Sequence, residues 1–335
     1  MYEEKIELLI DGVFRAGSEG KSQPLVNPAT GQRIAMVPHA SVADLDEALA
    51  AAARAFELWR VTPPISRYKI MMKAADLIDE RLEIIARVLT MENGKPLAEA
   101  KGEVVFSAEA TRWYAEEGKR AYGRIVPGRV TGQRQMVYKE PVGVVVAFAA
   151  WNFPASNTIR KISGALAAGC SIILKTAEET PGTAVAFARC FQDAGLPMGV
   201  LNLVFGVPDD VSRHLIASPI PKKVSLTGST AVGKLLQKRA ADTLKRTTME
   251  LGGHAPVLVF GDADVDHAVT TLAAAKFRNA GQVCTSPTRF FVHESVAGPF
   301  AAGMAARAKA LKLGDGLDPE TQMGPMIAPR RCDAI

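Results

Sequence analysis

From residue 142 onward short apolar runs alternate with amphipathic stretches, and this alternation limits the possible folds more than any other feature of the chain. "VGVVVAFAA" (142–150) and "SIILK" (171–175) are apolar almost throughout, and between them "TIRKISGALAAGC" (158–170) has apolar residues at helical spacing. The pattern continues through "TPGTAVAFARCFQDAGLP" (180–197), "LNLVFG" (201–206), "PDDVSRHLIAS" (208–218), "KKVSLTG" (222–228) and "STAVGKLLQKRAAD" (229–242). "TTMELGG" (247–253) and "APVLVF" (255–260) read as further strands. Strands without an apolar–polar alternation are those buried on both faces, so helices must cover both sides of a parallel sheet. The expected class is α/β, a Rossmann-like doubly wound parallel sheet with ligands at the carboxyl ends of its strands.

The flanks read differently. Residues 1–40 suggest short strands and turns, with "NPATGQ" (27–32) as a turn. "SVADLDEALAAAARAFELWR" (41–60) is a helix with Ser41 as N-cap and Asp44 three residues on. Residues 64–95 hold two helices stopping near Gly94, and a third runs from Pro96 to Gly118. "YGRIVPGRVTGQRQMVYKEPVG" (122–143) reads as a hairpin or crossing ribbon. After "DADVDHAVTTLAAAKFRNAGQVC" (262–284), "RFFVHESV" (289–296) is an expected strand leading into the helix "AGPFAAGMAARAKAL" (297–311). This second α/β unit has about two strands, too few to make a stable sheet alone.

Several function classes fall away on composition. The net charge, 40 − 35 = +5, is spread along 335 residues, which argues against a nucleic-acid partner. The four cysteines form no CxxC pair and no Cys/His cluster, so neither a metal site nor a disulfide framework is expected, and a reducing, cytoplasmic setting fits. The acidic start "MYEEKIELLIDG" is no signal peptide. The longest apolar run, 142–151, is half of what a bilayer requires, so no membrane partner is expected.

Candidate chemistry lies at strand ends. "LTGSTAVGK" (226–234) offers Gly228, Ser229 and Gly233, with free N–H groups at a helix start for an anion, or is simply a tight turn. "ILKTAEETP" (173–181) sets Lys175 and Glu178 where a ribose is held in such sheets, or is a solvated charged loop. "AAWNFPASNTIRK" (149–161) ends a strand at Trp151 and Asn152, whose amide is an oxyanion donor or a turn residue. "TTMELGGHAP" (247–256) puts Glu250 among apolar neighbours, a setting that raises a carboxyl pKa and suits a base, although a cap is equally compatible. In "KFRNAGQVCTSPTRFF" (276–291) Cys284 lies near Arg278 and Arg289, either as a packing residue or as an activated thiolate. His214, His254 and His267 have no catalytic or metal constellation around them, and Ser156, Ser163 and Ser286 lack a GxSxG elbow.

"NPATG", "WNFP", "LKTAEETP", "LTGSTAVGK", "MELGG" and "GQVCTSPTR", in this order and spacing, closely resemble the aldehyde dehydrogenase superfamily over essentially the whole chain. The interval of 34 residues between Glu250 and Cys284 also matches the family. The resemblance implies an NAD-binding domain over 1–121 and 141–253, an oligomerisation hairpin over 122–140, and an incomplete catalytic α/β domain over 254–335. It implies that Cys284 attacks an aldehyde, that the Asn152 amide and the Cys284 N–H hold the oxyanion, and that Glu250 activates the water that hydrolyses the thioester. It also implies that Trp151, Lys175, Glu178, Gly228, Ser229, Gly233, Leu251 and Gly252 line the cofactor site. Glu178 points to NAD, with NADP possible, and Thr176 replaces a proline that many members carry.

Within the superfamily, "WYAEEGKRAYGRIVP" (113–127) and "TIRKISGALAAGC" look most like succinate-semialdehyde dehydrogenases. Arg160 and Arg278 match positions that hold a substrate carboxylate there, a task suited to forked guanidinium groups. Ser286 stands where some of those enzymes carry a second cysteine, so no thiol switch is expected. The implied activity is oxidation of a carboxylated aldehyde, succinate semialdehyde in the first place, by a homodimer or homotetramer. Family members normally run well beyond residue 335, so the chain is expected to be a fragment. Two alternatives accompany this reading: a catalytically incompetent NAD-binding chain, and a CoA-acylating enzyme, against which Glu250 argues.

Overall fold

The computed structural model describes residues 2 and 4–333. Four short strands come first: β1 (Leu8–Ile10), β2 (Val13–Arg15), β3 (Ser22–Val26) and β4 (Arg33–Pro38). Four helices follow: α1 (Val42–Trp59), α2 (Pro64–Glu80), α3 (Leu82–Asn93) and α4 (Leu97–Lys119). The start of α1 is a reciprocal cap, as the Ser41–Asp44 spacing leads one to expect. The Asp44 N–H donates to the Ser41 hydroxyl at 3.1 Å, and the Ser41 N–H donates to the Asp44 carboxylate at 2.8 Å. Helix α3 stops at Gly94, whose φ of +90° only glycine adopts without strain.

The hairpin β5 (Arg124–Pro127) and β6 (Arg134–Val137) is antiparallel and almost wholly exposed. The expected alternation then appears as β7 (Val144–Phe148), α5 (Pro154–Ala167), β8 (Ile172–Lys175), α6 (Pro181–Asp193) and β9 (Leu201–Val204). It continues as α7 (Pro208–Ala217), β10 (Pro221–Gly228), α8 (Thr230–Ala241) and β11 (Arg246–Leu251). These five strands and the first two make one seven-stranded sheet in the order β11-β10-β7-β8-β9-β1-β2. Pairing from β11 to β9 is parallel, whereas β1 joins β9, and β2 joins β1, antiparallel. Every residue of β7, β8 and β9 is buried, so both sheet faces are covered. The attachment of β1 and β2 is a finding that the local sequence of residues 1–40 does not carry. The Asp11 N–H in the β1–β2 turn donates to the Asn202 side chain at 3.0 Å, and this long-range bond helps anchor the edge.

Strand order reverses between β7 and β10, and a crevice opens there beyond their carboxyl ends. Trp151 and Asn152 follow β7, Gly228 ends β10 with Ser229 just beyond it, and Glu250 and Leu251 end β11.

The remaining chain forms a second unit: β12 (Ala255–Val259), α9 (Val265–Phe277), a 3₁₀ turn at Arg278–Gly281, β13 (Pro287–Val292) and α10 (Glu294–Ala310). β12 and β13 pair in parallel, and this unit's core is Val259, Val269 and Phe300. The strand expected over 289–296 ends at Val292, because the His293 side chain accepts the Ser295 N–H and caps α10. Residues 311–328 fold back onto the turn after α3. The Leu97 N–H donates to the Gly316 carbonyl at 2.9 Å, and a Cβ at Gly324 would lie 1.8 Å from the Gly94 oxygen. The short helix α11 (Pro329–Cys332) follows. No helix among the described residues is long and apolar enough to cross a membrane.

Candidate active site

Two cavities meet at the crevice. The first, of about 1500 Å³, is lined by Trp151, Lys175, Glu178, Gly228 and Ser229 among others. Ser229 caps α8 by accepting the Val232 N–H at 3.3 Å. The Gly233 N–H is spent on the Ser229 carbonyl at 2.9 Å, which corrects the expectation of a free amide there. What Gly233 supplies is closeness: a Cβ on it would lie 2.7 Å from Leu251 Cδ2, so glycine lets the end of β11 pack against α8. Lys175 is buried; its ammonium pairs with the Glu178 carboxylate and donates to the Thr176 carbonyl at 3.1 Å. The neighbouring Glu179 pairs with Arg330.

The second cavity, of about 1230 Å³, is lined by Asn152, Arg160, Glu250, Leu251, Gly252 and Cys284, with Phe106, Trp113 and Tyr114 from α4. Trp151, Gly228 and Ser229 border both cavities. Leu251 and Gly252, expected beside the cofactor, line only this second space.

Cys284 is exposed, and among the described residues no acceptor takes its backbone N–H. It follows a turn in which Asn279 and Ala280 both have positive φ, 48° and 53°. Glu250 is exposed on the outer strand β11, so the apolar neighbours in its sequence do not bury it as expected. Arg160 lines the cavity, its guanidinium 5.2 Å from the Phe106 ring centroid. Arg278 does not line it. The guanidinium lies 5.1 Å from the Phe153 ring centroid instead.

The Asn152 side chain has a defined orientation. Its amide nitrogen donates to the Gln282 carbonyl at 3.0 Å, and its oxygen accepts from the Asn157 amide at 3.2 Å. One N–H of the amide therefore remains for another acceptor. The backbone oxygen of Asn152 accepts from Lys95 Nζ at 3.0 Å and from Asn279 Nδ2 at 2.7 Å.

Sequence reading missed Lys95, Glu103, Asn279, Gln282 and Lys161. Lys161 lines the Cys284 cavity and donates to the Ser225 hydroxyl at 2.9 Å. Burial pushes its ammonium down to about 8; attraction to Glu250 opposes this, and repulsion from Lys223 and Arg160 adds to it. A lysine within the apolar stripe of α5 was the available signal for Lys161. The others carry no local signal, because the bonds that tie them to the site span 45 to 180 residues of chain.

His214 pairs with Asp46 and His254 with Thr288, while His267 lies in the first turn of α9, whose cap is Asp264. Among the described residues no group of three or more His, Cys, Asp or Glu could hold a metal ion.

The profile of the aldehyde dehydrogenase family matches residues 14–335, and the chain belongs to this family. It is 47% identical over 98% of its length to the 4-(hydroxymethyl)benzenesulfonate dehydrogenase TsaD1 of Comamonas testosteroni, covering 69% of that protein. It is 41% identical over 96% of its length to the NADP(+) succinate-semialdehyde dehydrogenase GabD of Escherichia coli K12, covering 67% of it. Among solved structures, the succinate-semialdehyde dehydrogenase of Burkholderia pseudomallei superimposes with a TM-score of 0.95 at 43% identity, over 97% of this chain and 67% of that one. The chain thus spans about two thirds of the length of these relatives.

Proposed function

We propose that this chain carries the covalent chemistry of an enzyme oxidising an aldehyde with a remote anionic group, with NAD, or alternatively NADP, as hydride acceptor. The observation that carries the reading is that Cys284, Asn152 and Glu250 line one cavity, which shares a rim with the switch-point crevice.

The crevice residues fit a dinucleotide. The first turn of α8 presents the N–H groups of Thr230 and Ala231, a favourable setting for a pyrophosphate. Glu178, beside Lys175, has the acceptor oxygens a ribose diol needs and would repel a 2′-phosphate, which favours NAD. The nicotinamide supplies the hydride acceptor when bound.

The chain's own residues would then act as follows. The Cys284 thiolate attacks the carbonyl carbon, forming a C–S bond and moving the π electrons onto oxygen. The free N–H of the Asn152 amide and the Cys284 N–H stabilise that oxyanion. Donors fixed before the charge forms are the effective ones. Loss of hydride from the carbon leaves a thioester on Cys284. Glu250 takes a proton from water, the resulting hydroxide attacks the thioester carbon, and the C–S bond breaks to release the acid and the thiolate. Exposure of Glu250 to the cavity suits this role, because the water must reach it.

Arg160 is the cation we assign to the substrate's far end. The carboxylate of a succinate semialdehyde suits it, and this remains the favoured substrate. A sulfonate, the group in the name of the Comamonas relative, meets the same guanidinium chemistry. We further assign residues 1–121 with 141–253 to cofactor binding and residues 254–335 to catalysis. The exposed hairpin β5–β6 is assigned to contact with another copy in a dimer or tetramer, and the setting to the cytoplasm, where Cys284 stays a free thiol. The test is reduced-nicotinamide formation with succinate semialdehyde. Turnover lost in Cys284→Ser supports the proposal. NAD binding without turnover under any aldehyde would support the cofactor-binding alternative instead.

A further inference from the structure

We propose that Lys95, Glu103 and Asn279 form a positioning clamp that locks the Asn152 amide to the Cys284 loop before an aldehyde arrives. The inference rests on the reading of Asn152 as an oxyanion donor. Lys95 and Glu103 are 2% and 6% exposed, and their charged atoms lie 2.6 Å apart. A buried ion pair of this kind about breaks even against apolar residues in stability, so its presence calls for another reason.

Its remaining valences supply one. Lys95 Nζ donates to the Asn152 carbonyl at 3.0 Å and lies 4.0 Å from the Phe153 ring centroid. The other Glu103 oxygen accepts the Ser156 N–H at 2.9 Å in the first turn of α5. The charges of the pair are thus satisfied within residues 152–156, the strand-to-helix turn that presents Asn152.

Asn279 ties this turn to the second unit. Its side chain donates to the same Asn152 carbonyl at 2.7 Å, and its N–H donates to Glu99 at 3.0 Å. The Asn152 amide returns a bond to the Gln282 carbonyl at 3.0 Å, two residues before Cys284. Positive φ at Asn279 and Ala280 is a strained conformation, which persists where surrounding contacts over-determine it, as these do. The oxyanion donor and the nucleophile come from different sheets. The clamp is what fixes one against the other, so that no reorganisation is left for the moment of reaction.

The test uses the full chain and the rate at which iodoacetamide alkylates Cys284, with propanal as competitor. A thiohemiacetal blocks alkylation, so protection reports its stability without requiring turnover. Asn279→Gly deletes the side-chain donor while glycine keeps the left-handed backbone. Lys95→Gln with Glu103→Gln removes both charges together. Both variants should weaken propanal protection by about tenfold, in the direction of Asn152→Ala, with unprotected alkylation changed by no more than about twofold. Combining Asn279→Gly with Asn152→Ala should add nothing, since a clamp acts only through the amide it holds. If Asn152→Ala weakens protection while Asn279→Gly does not, or if the two losses add fully, the clamp is overturned. If Asn152→Ala itself leaves protection unchanged, the oxyanion reading fails first and takes the clamp with it. Should the double glutamine variant not fold, Asn279→Gly decides alone.

Discussion

Strands β7 and β12 are made of similar residues, "VVVAF" and "APVLV", yet end in opposite environments. All five residues of β7 are buried, between β10 and β8 in the seven-stranded sheet. Among the described residues β12 has β13 as its single partner, buries only Val259, and leaves Leu258 63% exposed. Phe291 on β13 is likewise 55% exposed. The first region has an extensive core built from helices and strands together, whereas the core of the second is three residues. An apolar run therefore specifies a strand, but its burial depends on how many neighbours the topology supplies. The difference also divides the proposed chemistry, since the well-packed region holds the crevice and Asn152 while Cys284 belongs to the sparsely packed one.

The sharpest way to test that division is Cys284→Ala. It should end aldehyde oxidation altogether while quenching of tryptophan fluorescence by NAD is retained. Turnover above the uncatalysed background would remove the nucleophile from the second region, and loss of NAD binding would mean the regions do not act separately.

Next comes a pair of core truncations. Phe187→Ala, at a fully buried site on α6, should cost about 3–5 kcal/mol in urea unfolding. Phe300→Ala should act locally, speeding amide hydrogen exchange in α9 and α10 and leaving β7 to β9 protected. Equal global losses from the two would show one cooperative unit and break the comparison.

A smaller effect, confined to the first region, concerns Glu92. This buried carboxyl accepts from Tyr2 Oη and the Gly182 N–H, each at 2.6 Å, at the start of α6. Burial pushes its pKa up to about 7 against the pull of these donors. The native state then holds its proton more tightly than the unfolded chain, whose value is near 4.5. The stabilisation is complete below the unfolded value and is lost as pH rises through about 7. Urea midpoints should fall across this window, and Glu92→Gln should flatten the slope. A midpoint rising with pH because of Glu92 would mean that the hydrogen bonds outweigh burial.

The mildest effect separates the two arginines. Arg160→Ala should raise KM for succinate semialdehyde by about tenfold, the order expected for one charge-assisted contact, and leave KM for propanal alone. Arg278→Ala, off the cavity wall, should change both KM values alike. A selective effect of Arg278 would restore the pairing that the sequence suggested.

Much of the architecture was legible from local pattern. The Ser41–Asp44 cap, the stop at Gly94, the hairpin and the strand–helix alternation follow from short-range rules about capping, glycine and periodicity. The motif residues Trp151, Asn152, Lys175, Gly228, Ser229, Glu250 and Cys284 were legible as well, because each lies at or just beyond a strand end or in a quoted motif. Their number in the chain says which segment they occupy. It does not say which cavity they face or what they touch.

The sequence by itself determined the class of fold and the family, since both rest on periodicity and ordered motifs. The tertiary structure alone decided the rest. It attached β1 and β2 to the sheet edge, exposed Glu250, set Arg278 beside Phe153, and joined Lys95, Glu103, Asn152 and Asn279. The physical reason is range. Periodicity and capping act over one to four residues, whereas burial and the hydrogen bonds of the site join segments from about fifty to more than a hundred residues apart that meet only when the chain is folded.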